Sequence, residues 1–269
     1  MVYKTIEIEA NQQAAILTTY ILDNSREMDV ERTRPMVIIC PGGGYRFLSD
    51  REAEPIAVQM NAMGFHACVL RYSVYPAKFP TALVQLAKSV ALCREHAKEW
   101  NINADKIIVA GFSAGGHLAA SLGTLWQEKF LEDLLQMPKA NYQPNGMLLS
   151  YPVISSGPFA HSDSYHALLQ EEYEGLLLQV SLEKQVNTLT PPAFVWHTAN
   201  DDVVPVENSF LFTSALNEHK IPFELHIYPK GAHGLALANE ETMNMEYDFG
   251  VQKECQNWIT MAETWINNL

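Results

Sequence analysis

Basic residues are scarce in this chain: 18 Lys and Arg stand against 31 Asp and Glu, for a net charge of −13. Such a balance argues against nucleic acid or an anionic membrane surface as an electrostatically held partner. Cysteine is scarcer still. Cys40, Cys68, Cys93 and Cys255 are widely scattered and form no C-x-x-C pair, so the spacing gives a structural zinc site no support. Cys40 and Cys68 end or sit within apolar runs, which predicts buried free thiols rather than disulfides. No apolar run is long enough to span a bilayer, and the first residues lack a basic stretch followed by an apolar one. A cytoplasmic protein is the resulting expectation. Gly/Ser/Pro linkers, charge blocks, low-complexity tracts and internal repeats are also missing. With 269 residues, 48% of them hydrophobic, the chain can bury one large core, and nothing divides it, so one domain over 1–269 is expected.

What is present is an alternation of strand-like and helix-like segments. Short apolar runs bounded by Gly, Pro or polar clusters predict strands at 14–22, 35–40, 65–72, 106–110, 146–151, 192–197 and 223–228. Helical patterns are expected from a capping box at Ser49-x-x-Glu52 to about Met63, and over 81–100, 114–126, 206–219 and 249–268. Strands alternating with helices predict an α/β fold with a mostly parallel sheet and helices on both faces. Reactive groups in such sheets gather at the C-terminal strand ends. Residues 154–190 break the rhythm. They include a helical run at 168–180 and read as an insertion over the sheet edge, either a surface excursion or, the favoured reading, a lid or acyl-pocket wall.

Residues Gly111-Phe-Ser113-Ala-Gly115 spell G-x-S-x-G directly after the 106–110 strand and before a helix-forming run. A strand that turns into a helix through small residues presents one serine hydroxyl at a sheet edge, where a nucleophile is useful. That hydroxyl needs a base and an orienting acid, in the order Ser, acid, His along such a chain. His233 lies between glycines just after the 223–228 strand and is the base candidate. His226 sits inside that strand, His219 ends a helix, His117 follows Ser113 by one helical turn, and His161 and His166 fall in the insertion, where they read as surface residues. His197 ends a strand just before the acid candidates, Asp201 and Asp202, which share the next loop. Charge at a helix N-terminus would also account for both.

An acyl-transfer nucleophile also needs fixed N–H donors for the developing oxyanion. The amide of Ala114 is one. The other is expected from the loop after the 35–40 strand, Pro41-Gly42-Gly43-Gly44-Tyr45, because consecutive glycines let amides point into a site without side chains in the way; a simple glycine turn is the competing reading. Tyr45 is a candidate for the pocket lining.

Pro41-Gly-Gly-Gly-Tyr45, Gly111-Phe-Ser-Ala-Gly-Gly-His117, Asp201-x-x-Val-Pro205 and Gly231-Ala-His-Gly234 together resemble the α/β-hydrolase superfamily. More narrowly, they resemble bacterial acetyl esterases, acetyl-xylan esterases and hormone-sensitive-lipase-like carboxylesterases. The likeness runs from about Val37 to Trp265, and D-x-x-V-P favours Asp201 over Asp202. It implies hydrolysis of carboxylic esters through an acyl-enzyme, with Ser113, His233 and Asp201 as triad, the amides of Gly43, Gly44 and Ala114 as oxyanion hole, and no cofactor or metal. Acetylated carbohydrate is the small-molecule substrate it implies. Pro41 departs from the histidine found in many relatives, so the support of the oxyanion loop is expected to differ. A peptidase of related fold is an alternative, disfavoured because the chain has no room for the large extra domain such enzymes carry. A non-catalytic binding protein is a second alternative, at odds with a complete triad.

Overall fold

The structure is a computed structural model describing residues 1–269. Eight strands form one sheet: β1 (Val2–Ala10), β2 (Gln13–Ile21), β3 (Arg34–Cys40), β4 (His66–Arg71), β5 (Ile102–Phe112), β6 (Gly146–Ser150), β7 (Ala193–Thr198) and β8 (Phe223–Tyr228). Their order is β1-β2-β4-β3-β5-β6-β7-β8. The β1–β2 and β2–β4 pairs are antiparallel, and every later pair is parallel. Nine helices connect or flank them: α1 (Glu54–Ala62), α2 (Thr81–Glu95), α3 (Ala114–Leu125), α4 (Lys129–Leu135), α5 (Lys139–Tyr142), α6 (Ser162–Leu169), α7 (Tyr173–Leu176), α8 (Glu207–Glu218) and α9 (Trp258–Asn268). No helix is long and apolar enough to cross a membrane.

The central strands are buried on both faces because helices cover both, which is why they read as continuous apolar runs. Successive side chains of β3 serve opposite layers. Met36, Ile38 and Cys40 belong to the core layer that includes α2, α3 and α8, whereas Val37 and Ile39 belong to the layer that includes α1 and α9. All four cysteines are buried and free.

Several elements depart from the sequence reading. Strand β1 was not foreseen; its alternation is weak, and its outer face is mostly exposed. The capping box does not form. Ser49 makes no side-chain cap, a 3-10 turn occupies Asp50–Glu52, and Glu52 is drawn into the interior by other partners. The 81–100 helix stops at Glu95. The terminal helix starts at Trp258 rather than Phe249, because Phe249 bridges to Asn244 and Gly250 takes a positive φ. Residues 168–180 are not one helix: α6 ends where Gln170 adopts φ +53° and the short α7 follows.

Candidate active site

The strand and helix around Ser113 nearly touch, and the sequence permits it only through glycine. A Cβ on Gly111 would lie 2.1 Å from the carbonyl oxygen of Gly115 in α3, and one on Gly115 would lie 2.1 Å from the Cys40 carbonyl oxygen at the end of β3, each closer than any real contact. Ser113 itself has φ +54° and ψ −119°, outside the regions that L-residues favour. Three backbone hydrogen bonds hold it there: its N–H donates to Ser150 O at 3.0 Å, and its carbonyl accepts from His117 and Val153 N–H, each at 3.1 Å. Strain of this kind costs about 1–3 kcal/mol and persists only where the surroundings fix it. The result is a hydroxyl that lines a cavity of about 450 Å³.

The loops after β7 and β8 supply the other two side chains. His233 Nε2 lies 2.7 Å from Ser113 Oγ, and His233 Nδ1 lies 2.7 Å from Asp201 Oδ2. A carboxylate only accepts, so Nδ1 carries the proton and Nε2 is the lone-pair nitrogen facing the serine. Asp202, one residue on, is exposed. Asp201 is held on every side. Its Oδ1 accepts from Val203 and Val204 N–H at 3.0 and 2.9 Å, and its Oδ2 also accepts from His197 Nε2 at 3.2 Å. Burial alone would raise its pKa. Hydrogen bonds from His197 and His233, the charge on His233 and the Val204 amide outweigh that and hold it well below the ordinary carboxylate range. The carboxylate therefore stays ionised and fixes the ring of His233.

His197 is a member of this site that sequence reasoning passed over. Its Nε2–H is shared between Asp201 Oδ2 and, at 3.0 Å, Val204 O, while Nδ1 accepts from Ser209 Oγ at 2.8 Å. Its position at the end of a strand, four residues before Asp201, was the available signal. His161 is also more than a surface residue, since it lines the cavity with Asp163. Burial first, and then the charge of His233, hold its pKa down.

The glycine loop after β3 borders the same cavity through Gly43 and Gly44. Gly43 has φ +134°, and a Cβ there would fall 2.1 Å from Phe47 O. The amides of Gly43 and Gly44 have no acceptor within the protein, whereas the Gly42 amide is occupied by Glu52. Ala114 opens α3, so its amide is one of the orphan donors of a helix start. Tyr45 is not where the sequence reading put it. Its ring is buried away from the cavity, with its hydroxyl 2.8 Å from His117 Nδ1. His117 in turn donates from Nε2 to Val180 O at 2.8 Å, tying the glycine-loop side of the site to the 154–190 segment. The carbonyl fixes the proton on Nε2, so Tyr45 donates to Nδ1. No three His, Cys, Asp or Glu are grouped so as to hold a metal ion.

A relay of carboxylate, imidazole and strained serine, with free amides beside it, can generate a nucleophile and receive an oxyanion. With the strand order above, it defines an α/β-hydrolase. The BD-FAE family model matches residues 22–216, and the chain belongs to that family. Xylanase B (endo-1,4-beta-xylanase B) of Butyrivibrio fibrisolvens is 40% identical over 215 residues, 77% of this chain and 33% of its own length. The acetylxylan esterase of Xylanibacter ruminicola is 30% identical over 83% of this chain and 45% of its own. The chain thus spans less than half the length of these two relatives. Among solved structures, the acetyl ester-xyloside bifunctional hydrolase of Caldicellulosiruptor lactoaceticus matches with a TM-score of 0.83 and 35% identity, over 98% of this chain and 96% of that one.

Proposed function

We propose that this protein is a serine carboxylesterase that removes short acyl groups, acetyl above all, from a carbohydrate such as an acetylated xylo-oligosaccharide. The observation that carries the reading is the unbroken relay from Asp201 through His233 to Ser113, 2.7 Å at each step, with Ser113 on the cavity wall. In this reading Ser113 Oγ attacks the ester carbonyl as His233 Nε2 takes its proton. Asp201 keeps the imidazolium oriented and stabilised. The amides of Gly43, Gly44 and Ala114 take the oxyanion. Collapse expels the alcohol, which receives the proton from His233, and water then frees the acyl group by the same route.

Two observations support a sugar-like alcohol and a small acyl group. Apart from Phe47 and Val203, the lining residues are polar or glycine, and Arg46, Ser49, Asp163 and Asn244 offer partners for sugar hydroxyls. The relatives named for acetylxylan and acetyl ester-xyloside hydrolysis point the same way. We read residues 154–190, through His161 and Asp163, as the wall of the alcohol subsite. The test is an ester panel: p-nitrophenyl acetate through octanoate, acetylated xylo-oligosaccharides and aminoacyl amides. Activity should fall steeply beyond the shortest acyl groups and include the acetylated oligosaccharide. Preference for octanoate, or dominant amide cleavage, contradicts the reading.

A further inference from the structure

Both oxygens of the Glu52 carboxyl are engaged, and each by a different loop of the site. Oε2 accepts from the Gly42 amide at 2.8 Å, one residue before the two free amides. Oε1 accepts from the Tyr151 hydroxyl at 2.8 Å. Tyr151 Oη in turn accepts from Ala236 N–H at 2.9 Å, three residues after His233, and its ring stands edge-on to the imidazole with centroids 5.1 Å apart. Glu52 sits in the cavity wall yet is only 3% exposed, and Tyr151 is 1% exposed, so both bonds are shielded from bulk solvent. From these contacts we infer that Glu52 and Tyr151 are a positioning pair, which sets the glycine loop and the His233 loop at a fixed separation across Ser113. The inference rests on the esterase reading above.

The residue type fits the task. Glu52 forms no salt bridge. The groups facing it are Arg51 from its own turn, whose Nε donates to Thr242 O, then His233, Tyr151 and Tyr72, whose hydroxyl donates to Pro41 O at 2.7 Å. Burial pushes the Glu52 carboxyl above its ordinary pKa, and the Tyr151 hydroxyl, the Gly42 amide and the charges of His233 and Arg51 oppose that shift by favouring the ionised form. An amide side chain would bury no charge, but it offers one acceptor oxygen where two donors need one each. A carboxylate meets both. Tyr72 completes the clamp by fixing the carbonyl of the residue before Gly42. This is how a glycine loop that begins with proline is held: by Glu52 on its N–H side and by Tyr72 on its C=O side.

Amide placement matters most where charge develops, so loosening the clamp should act on the transition state more than on ground-state binding. Glu52→Gln, Tyr151→Phe and the double variant should be compared with wild type on p-nitrophenyl acetate, with thermal unfolding run in parallel. Each single change is expected to lower kcat about 10- to 100-fold and to leave KM within about threefold. The double variant should cost little beyond the worse single, because the two side chains form one chain of bonds. Wild-type turnover separates the two levels of claim. No ester hydrolysis by wild type sinks the functional reading and this inference with it. Active wild type with folded variants that keep kcat within twofold, or that lose only KM, overturns the positioning role alone. If Glu52→Gln does not fold, Tyr151→Phe, which deletes one hydroxyl, decides by the same criteria.

Discussion

The two sides of Ser113 are built from different materials. In the proposed reaction the proton side works through the side chains of His233 and Asp201, each bonded to its neighbour. The anion side works through the backbone, by the unoccupied amides of Gly43 and Gly44. Side chains can be replaced one at a time without moving the chain. Amides cannot, and they depend on whatever holds the loop. The proton side is therefore fragile to chemical change, and the anion side to steric change and to loss of its supports.

The largest expected effect breaks both sides at their meeting point. Ser113→Ala should lower kcat/KM on the order of 10³-fold or more, and turnover within tenfold of wild type would show that another group reacts. Next, Asp201→Asn should cost on the order of 10³-fold, because the neutral amide favours the wrong tautomer of His233. Asp202→Asn should stay within about twofold, and equal losses would move the acid to the exposed neighbour. On the anion side, Gly43→Ala should cost about 10²-fold in kcat with KM little changed, since its Cβ must push the loop away from Phe47. An unchanged kcat in the folded variant would remove that loop from the reaction.

The smallest effect is on stability. Burial holds His66 and His117 neutral, with pKa values lowered to about 4. The unfolded chain binds these protons near pH 6.5, so between about pH 6.5 and 4 it carries more protons than the folded one, and stability falls as pH falls. Each histidine contributes up to about 3 kcal/mol across that window, fully present above it. Urea midpoints measured from pH 7.5 to 4 should decline, and His117→Gln should flatten the decline. A midpoint independent of pH would contradict the burial of both rings. Only His117 touches the anion side, through Tyr45, so the variant also asks whether that side depends on the 154–190 segment held at Val180.

The same contrast explains what could be read from the sequence. Ser113, His233 and Asp201 carry distinctive chemistry at the ends of recognisable strands, and chain order narrowed the choices. The glycines were legible because few other residues fit a tight loop. Glu52 was not, because Ser49-x-x-Glu52 fits a local capping pattern, while its real partners are Gly42 and the distant Tyr151. Tyr45 was misplaced for a similar reason: its position beside the glycines suggested the cavity, but a buried hydroxyl needs a partner and found His117. Strand β1 escaped notice because an edge strand with one exposed face carries little apolar signal. Local patterns revealed elements and reactive groups, and long-range hydrogen bonds, which have no local signature, set their supports.

The central claim is that Ser113 is a nucleophile activated by His233. Intact-mass spectrometry after treatment with a fluorophosphonate, followed by peptide mapping, tests it most directly. The account predicts one adduct per chain, on Ser113, absent in Ser113→Ala and formed far more slowly in Asp201→Asn. A folded wild-type protein that takes up no adduct, or takes it up at another residue, would contradict it.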